Sequence, residues 1–287
     1  MTFELVWDAR CEVGESCTWD ARNHRVLFCD IPRGAIHALG MDGARRSWRL
    51  DGLVASFGLC RSGRLVVAQR DRVVLFDPVS ERTTPLAGPL DQPPSVRLND
   101  GKVGPDGCFW VGGIDESPQK QRIAALWRVT PDGRAEIKST GFSNSNGLAW
   151  SPDGRVMFHS DTRGPFIEAF DFDRATGALA NRRVIATISD AQGRPDGGAT
   201  DAQGGYWSAG NSAAVLNRFA PDGTLIEALP FPVPGPTMPC FAADWIYVTS
   251  LRQGRDAATL ARHPEMGGLF RMRAPVTGAP VDVFADT

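Results

Sequence analysis

An all-β fold, a six-bladed β-propeller, is what the sequence predicts. Three observations point to it: a turn-and-strand unit that recurs six times, a composition crowded with turn formers and aromatics, and an N-terminal strand left without a partner in the first unit. The units are "WDARNHRVLFCD" (19–30), "CRSGRLVVAQ" (60–69), "GPDGCFWVGG" (104–113), "SPDGRVMFHSD" (151–161), "DAQGGYWSAG" (201–210) and "AADWIYVTS" (242–250). Aligning Arg25, Arg64, Cys108, Arg155, Gly205 and Trp245 spaces them 39 to 50 residues apart, the range of propeller blades. Within the units a further strand runs into a second turn, as in "RVVLFDPVSE", "ALWRVTPDG" and "VLNRFAPDG".

The physical logic is that one four-stranded sheet cannot bury both of its faces, whereas sheets arranged radially cover one another and leave only short edges. With 31 Gly, 21 Pro, eight Trp and fifteen Phe, the chain is suited to many short strands and many turns. One short helix is expected, around "DAATLARHPE" (256–265). "FELVW" (3–7) has strand composition and precedes the first unit, so it is expected to complete the sheet of the last one and close the ring. Residues 1–287 then form one domain. A sandwich is the competing architecture, but it gives no reason for the period.

Charge narrows the function. Thirty-one basic against 33 acidic residues leave a net charge of -2, which offers no electrostatic footprint for nucleic acid or an anionic membrane. No apolar run approaches membrane-spanning length, and the N-terminus lacks the apolar stretch of a secretory signal. A cytoplasmic monomer or weak homo-oligomer acting on a small molecule is expected. The six cysteines show no CxxC spacing and read as reduced thiols filling the core. No GxSxG elbow and no phosphate-cradling glycine loop is present. His159, in "MFHSD", reads as an ordinary strand residue, and the pairs Arg45–Arg46 and Arg182–Arg183 as solvated faces.

The innermost strands of a propeller line its channel, so equivalent positions approach one another at the mouth. Stepping back five residues from the turn positions Asp20, Gly104, Ser151 and Asp201 reaches Glu15, Asn99, Asn146 and Asp196. Asn146 alone would be read as an Asx turn. Four carboxylates or carboxamides at one register favour a cation site instead. Oxygen donors without thiolate or imidazole suit one divalent ion, and calcium, zinc, manganese, magnesium and ferrous iron are all acceptable. The other two units offer Ala55 and Met238 at this level.

The stretches "VGESCTW" (13–19), "RLNDGKVGPDGCFWVGG" (97–113), "NGLAWSPDG" (146–154), "RPDGGATDAQGGYW" (194–207) and "PCFAADWIYVTS" (239–250) resemble the gluconolactonase and regucalcin group, the senescence marker protein family. That resemblance implies a six-bladed propeller that holds one divalent metal and hydrolyses sugar-acid lactones such as glucono-, xylono-, arabinono- or galactonolactone. It implies Glu15, Asn146 and Asp196 as metal ligands, Asp196 also as general base, and Arg97 and Asn99 as substrate contacts. Two departures stand out: "GES" where relatives commonly read "GEG", which puts Ser16 in a glycine position, and "IDES" in the place of the family's acidic substrate contact. Asp115 or Glu116 would serve there, with Glu116 among the expected substrate-binding residues. A metal-dependent phosphotriesterase or other esterase, and a non-catalytic calcium-binding propeller, are the alternatives on the same scaffold.

Overall fold

The computed structural model describes residues 2–287 and consists of six four-stranded antiparallel sheets arranged as propeller blades. The innermost strands are Gly14–Asp20, Ser56–Leu59, Val96–Val103, Ser145–Trp150, Pro195–Thr200 and Pro236–Ala242, for blades 1 to 6 in order. The second strands begin at Arg25, Leu65, Phe109, Val156, Tyr206 and Trp245, within one residue of the aligned repeat. Turn residues set this periodicity, because each hairpin needs a tight reversal at a fixed distance from the channel.

The ring closes as expected. The N-terminal strand Glu4–Trp7 pairs antiparallel with Leu269–Arg273 and becomes the outermost strand of blade 6. Arg271 holds Glu4 at 2.7 Å, and the Phe3 ring meets Phe231 edge-on at 5.0 Å. The short helix is Ala257–Arg262, and the Asp256 carboxylate caps it by accepting the Thr259 amide. Among the described residues no helix is long and apolar enough to cross a membrane.

Blades bind one another through aromatic side chains from the strand runs that follow the turns. Trp110 of blade 3 meets Trp150 and Phe172 of blade 4 edge-to-face at 6.2 and 5.5 Å, and Trp207 of blade 5 meets Phe241 of blade 6 at 5.7 Å. Each such pair adds about 1 kcal/mol beyond the area it buries. All six cysteines are buried free thiols. Arg182 is not simply solvated: its guanidinium holds the buried Glu168 at 2.8 Å and lies over the Phe142 ring.

Two features position the site. First, the innermost strands of five blades carry an irregularity at the same level, between Glu15 and Thr18, Leu98 and Gly101, Asn146 and Ala149, Pro195 and Gly198, and Pro236 and Pro239. Blade 2 pairs without a break, and its innermost strand carries no acidic or amide side chain. Such bulges re-aim a side chain that regular pleating would point elsewhere. Second, the C-terminal stretch crosses the opposite mouth. Thr277 accepts from Ala202, Phe284 bridges to Cys60, and Asp286 binds Arg64 at 2.8 Å, so the strap spans blades 5 to 2.

The blade 1 bulge puts Ser16 at φ 54° and the blade 4 bulge puts Gly147 at φ 68°. Left-handed backbone costs a residue with a Cβ about 1–2 kcal/mol, and the buried Ser16 hydroxyl has no hydrogen-bond partner among the described residues. Ser16→Gly is therefore expected to stabilise the fold by about 1 kcal/mol in urea denaturation, after allowing for the greater freedom of glycine in the unfolded chain.

Candidate metal and substrate site at the bulged mouth

At the blade 1 bulge a carboxylate folds back onto the backbone amide of the next residue: Glu15 Oε2 accepts from Ser16 N at 2.8 Å. Asp196 Oδ2 accepts from Asn211 Nδ2 at 2.9 Å, and Asp100 Oδ2 from the Leu148 amide at 3.1 Å. The second oxygen of Asp100 is buried with no partner among the described residues. Asn146 donates its amide to the Thr162 hydroxyl at 2.6 Å, which leaves its carbonyl oxygen facing Asn99 Nδ2 at 3.4 Å.

Sequence reasoning found Glu15, Asn99, Asn146 and Asp196 and missed Asp100 and Lys102. Burial, then Asp196 and Asp100, push the Glu15 carboxyl well above the ordinary range. Burial, then Asp100, push Asp196 up to about 8. Asp100 is raised by burial and partly relieved by Lys102. The Lys102 ammonium donates to Gly198 O at 2.6 Å, and burial draws it below its usual value against the pull of Asp100 and Glu15. Glu15 and Asn146 are buried while Asp196 retains exposure to the mouth. Three carboxylates against one ammonium leave two negative charges when all are ionised.

Asn99 is the hub between blades. Its Nδ2 donates to Asn144 Oδ1 at 3.1 Å and Ser145 O at 3.0 Å, and its Oδ1 accepts from Arg97 Nη1 at 3.0 Å. Arg97 Nε in turn donates to Glu116 Oε1 at 2.8 Å, and Arg70 holds the other oxygen at 3.0 Å. Asp115 has a different task. The Ser117 hydroxyl, with the amides of Ser117 and Gln121, holds its carboxylate well below the ordinary range and folds its own loop. Of the two acids in "IDES", Glu116 is the one joined to the site.

His159 departs from the expected bystander role. Its Nε2 meets Ser145 Oγ at 2.7 Å and its Nδ1 meets Glu168 Oε1 at 2.9 Å, in a fully buried chain that ends on Arg182. The spacing matches that of a Ser-His-acid relay. The hydroxyl, however, points between blades: a Cβ at Gly112 would lie 1.7 Å from it. A substrate has no access there. The chain fixes the strand that presents Asn144 and Asn146, a role that local sequence does not signal because Ser145, His159 and Glu168 lie on three different strands.

The residues fit a divalent ion. Among the described residues no three His, Cys, Asp or Glu side chains form a cage, so a cation here would need a neutral oxygen beside the carboxylates, and the Asn146 carbonyl offers one. Excess negative charge, hard oxygen donors and an orphaned carboxylate oxygen on Asp100 all suit a dication.

Residues 13–252 match the family described as SMP-30/Gluconolactonase/LRE-like region. The chain belongs to that family. It is 33% identical over 95% of both chains to a Pseudomonas putida protein named 6-deoxy-6-sulfogluconolactonase, and 32% identical to the regucalcin of Danio rerio over 94% of this chain and 93% of that one. Among solved structures, a regucalcin from Agrobacterium tumefaciens superposes with a TM-score of 0.91 at 23% identity, covering 98% of this chain and 96% of that one. At that identity the superposition shows that this member of the family shares the propeller fold.

Carboxyl groups raised in the folded state make the folded protein bind protons more tightly than the unfolded chain does. The stability is fully present below the unfolded value near 4 and is lost as pH rises toward the folded one, about 8 for Asp196. Metal-stripped protein is therefore expected to lose melting temperature between about pH 5 and pH 8, and a saturating dication to flatten that decline. Thermal scans with and without chelator measure both.

Proposed function

We propose that this chain hydrolyses the lactones of sugar acids at the bulged mouth, with one divalent cation held by Glu15, Asn146 and Asp196. The observation that supports the reading is the convergence of the Glu15, Asp100 and Asp196 carboxylates beside a single lysine, with the Asn146 carbonyl oxygen on the adjoining strand facing Asn99. A bound dication would supply Lewis acidity toward the ester carbonyl and lower the pKa of a bound water. The names of the P. putida and A. tumefaciens relatives, a sulfogluconolactonase and a calcium-binding regucalcin, support the lactone and the metal respectively.

The chain's own residues perform the rest. Arg97, locked between Glu116 and Asn99, presents a planar set of donors suited to carbonyl and vicinal hydroxyl oxygens. Asn99 fixes that guanidinium and the blade 4 strand together. Asp196, half-buried at the mouth, accepts the proton of the attacking water; burial and then Asp100 raise its pKa to about 8, near the working pH at which a general base is most effective. The ring C–O bond breaks, and the product is the open hydroxy acid. Ser145 takes no part as a nucleophile, because its hydroxyl is sealed between blades.

The test is acid release in a pH-stat from a panel of aldonolactones and a phosphotriester, using stripped protein and added calcium, zinc, manganese, magnesium or ferrous iron. Lactone turnover restored by a cation is expected. Turnover of the phosphotriester alone would assign another esterase, and cation binding without turnover would assign a non-catalytic propeller. Asn146→Ala and Asp196→Asn are each expected to lower kcat/KM by at least about 100-fold with the fold retained; unchanged turnover in Asn146→Ala would return that residue to an Asx turn. Glu116→Gln, which loosens Arg97, is expected to raise KM on the order of tenfold with little change in kcat.

A further inference from the structure

Cys17 and Cys240 lie on the innermost strands of blades 1 and 6, 223 residues apart in sequence, with their sulfurs 2.9 Å from each other. These two strands flank the seam at which the ring closes. Elsewhere the seam is tied by backbone contacts, such as the bridge between Val13 and Leu251 and the bond from Arg252 N to Glu12 O, and by three paired positions of the outermost strand. The backbone passes from Trp7 in blade 6 to Gly14 in blade 1, and among the described residues no side-chain covalent bond joins the two blades. Among the described residues no other two thiols are in hydrogen-bond contact.

Both thiols line a cavity of about 250 Å³ in the half of the channel away from the bulged mouth. The innermost strands of all six blades form its wall, and the C-terminal strap at Ala279–Asp282 forms its cover. Lys102 also lines it and contributes positive potential beside the sulfurs. A small neutral oxidant therefore has space to meet the pair without passing the carboxylates of the bulged mouth.

We propose that Cys17 and Cys240 are a redox-modification site: hydrogen peroxide converts the pair to a disulfide that staples blade 1 to blade 6 across the closure of the ring. One sulfur attacks a peroxide oxygen, the O–O bond breaks, and a sulfenic acid and one water form. The second sulfur then attacks the first and displaces the sulfenic oxygen as a second water. Two thiols lose two electrons and two protons in all, and the peroxide takes up both. The staple sits two residues from Glu15, on the same strand, and a dithiol reductant removes it. This inference does not depend on the lactonase reading.

The test uses the full chain, treated with hydrogen peroxide, alkylated, digested without reduction and analysed by mass spectrometry. A Cys17–Cys240 linked peptide is expected from folded wild-type protein and not from Cys17→Ser or Cys240→Ser, the variants being run in parallel by circular dichroism to verify their fold. Because the cross-link closes a loop of more than 200 residues, melting temperature is expected to rise on the order of 10 °C and to fall back on reduction. Two free thiols in folded protein, under conditions that oxidise the urea-unfolded chain, would overturn the proposal. So would a linkage that forms without raising the melting temperature.

Discussion

Three carboxylates, Glu15, Asp100 and Asp196, share one mouth of the channel with a single ammonium, and the ring has to contain their repulsion. Water solvates such charges outside a protein; here burial removes much of that solvation and raises all three. What makes the cluster tolerable is local. Glu15 takes the Ser16 amide, Asp100 the Leu148 amide and Asp196 the Asn211 carboxamide, and Lys102 offsets part of the field. The balance left over is the attraction that the site has to offer a cation.

The bulges are the mechanical origin of this arrangement. A regular innermost strand, as in blade 2, alternates its side chains and contributes no carboxylate or carboxamide. The irregular strands break that alternation at a common level, so donors from blades 1, 3, 4 and 5 meet. Backbone strain accompanies this at Ser16, where a side chain occupies left-handed backbone. Around the bulges, the Asn99 hub and the buried Ser145–His159–Glu168–Arg182 chain hold the strands of blades 3 and 4 in place.

Much of the fold was legible in the sequence because hairpin turns are local. Proline, glycine and aspartate mark each reversal, and a repeat of turns followed by apolar strands has few closed solutions; even the partner of the Glu4–Trp7 strand followed from its lack of one nearby. Register found Glu15, Asn99, Asn146 and Asp196 because it counts back from those turns. It missed Asp100 for a physical reason: at the Leu98–Gly101 irregularity two consecutive residues both turn toward the interior, which simple alternation forbids. Lys102 and the Cys17–Cys240 contact were invisible because each depends on which blades face one another, and the His159 chain because it joins side chains from separate strands of blade 4. The strap over the far mouth has no repeat to announce it, and its anchors, Phe284 in the core and Asp286 on Arg64, are single residues.

The account stands on a dication held between Glu15, Asn146 and Asp196, and anomalous diffraction from crystals soaked in manganese tests this most directly. One anomalous peak within coordination distance of those three side chains, lost in Glu15→Gln crystals, is the predicted result. A peak elsewhere on the ring, or none at a manganese concentration that supports turnover, would contradict it.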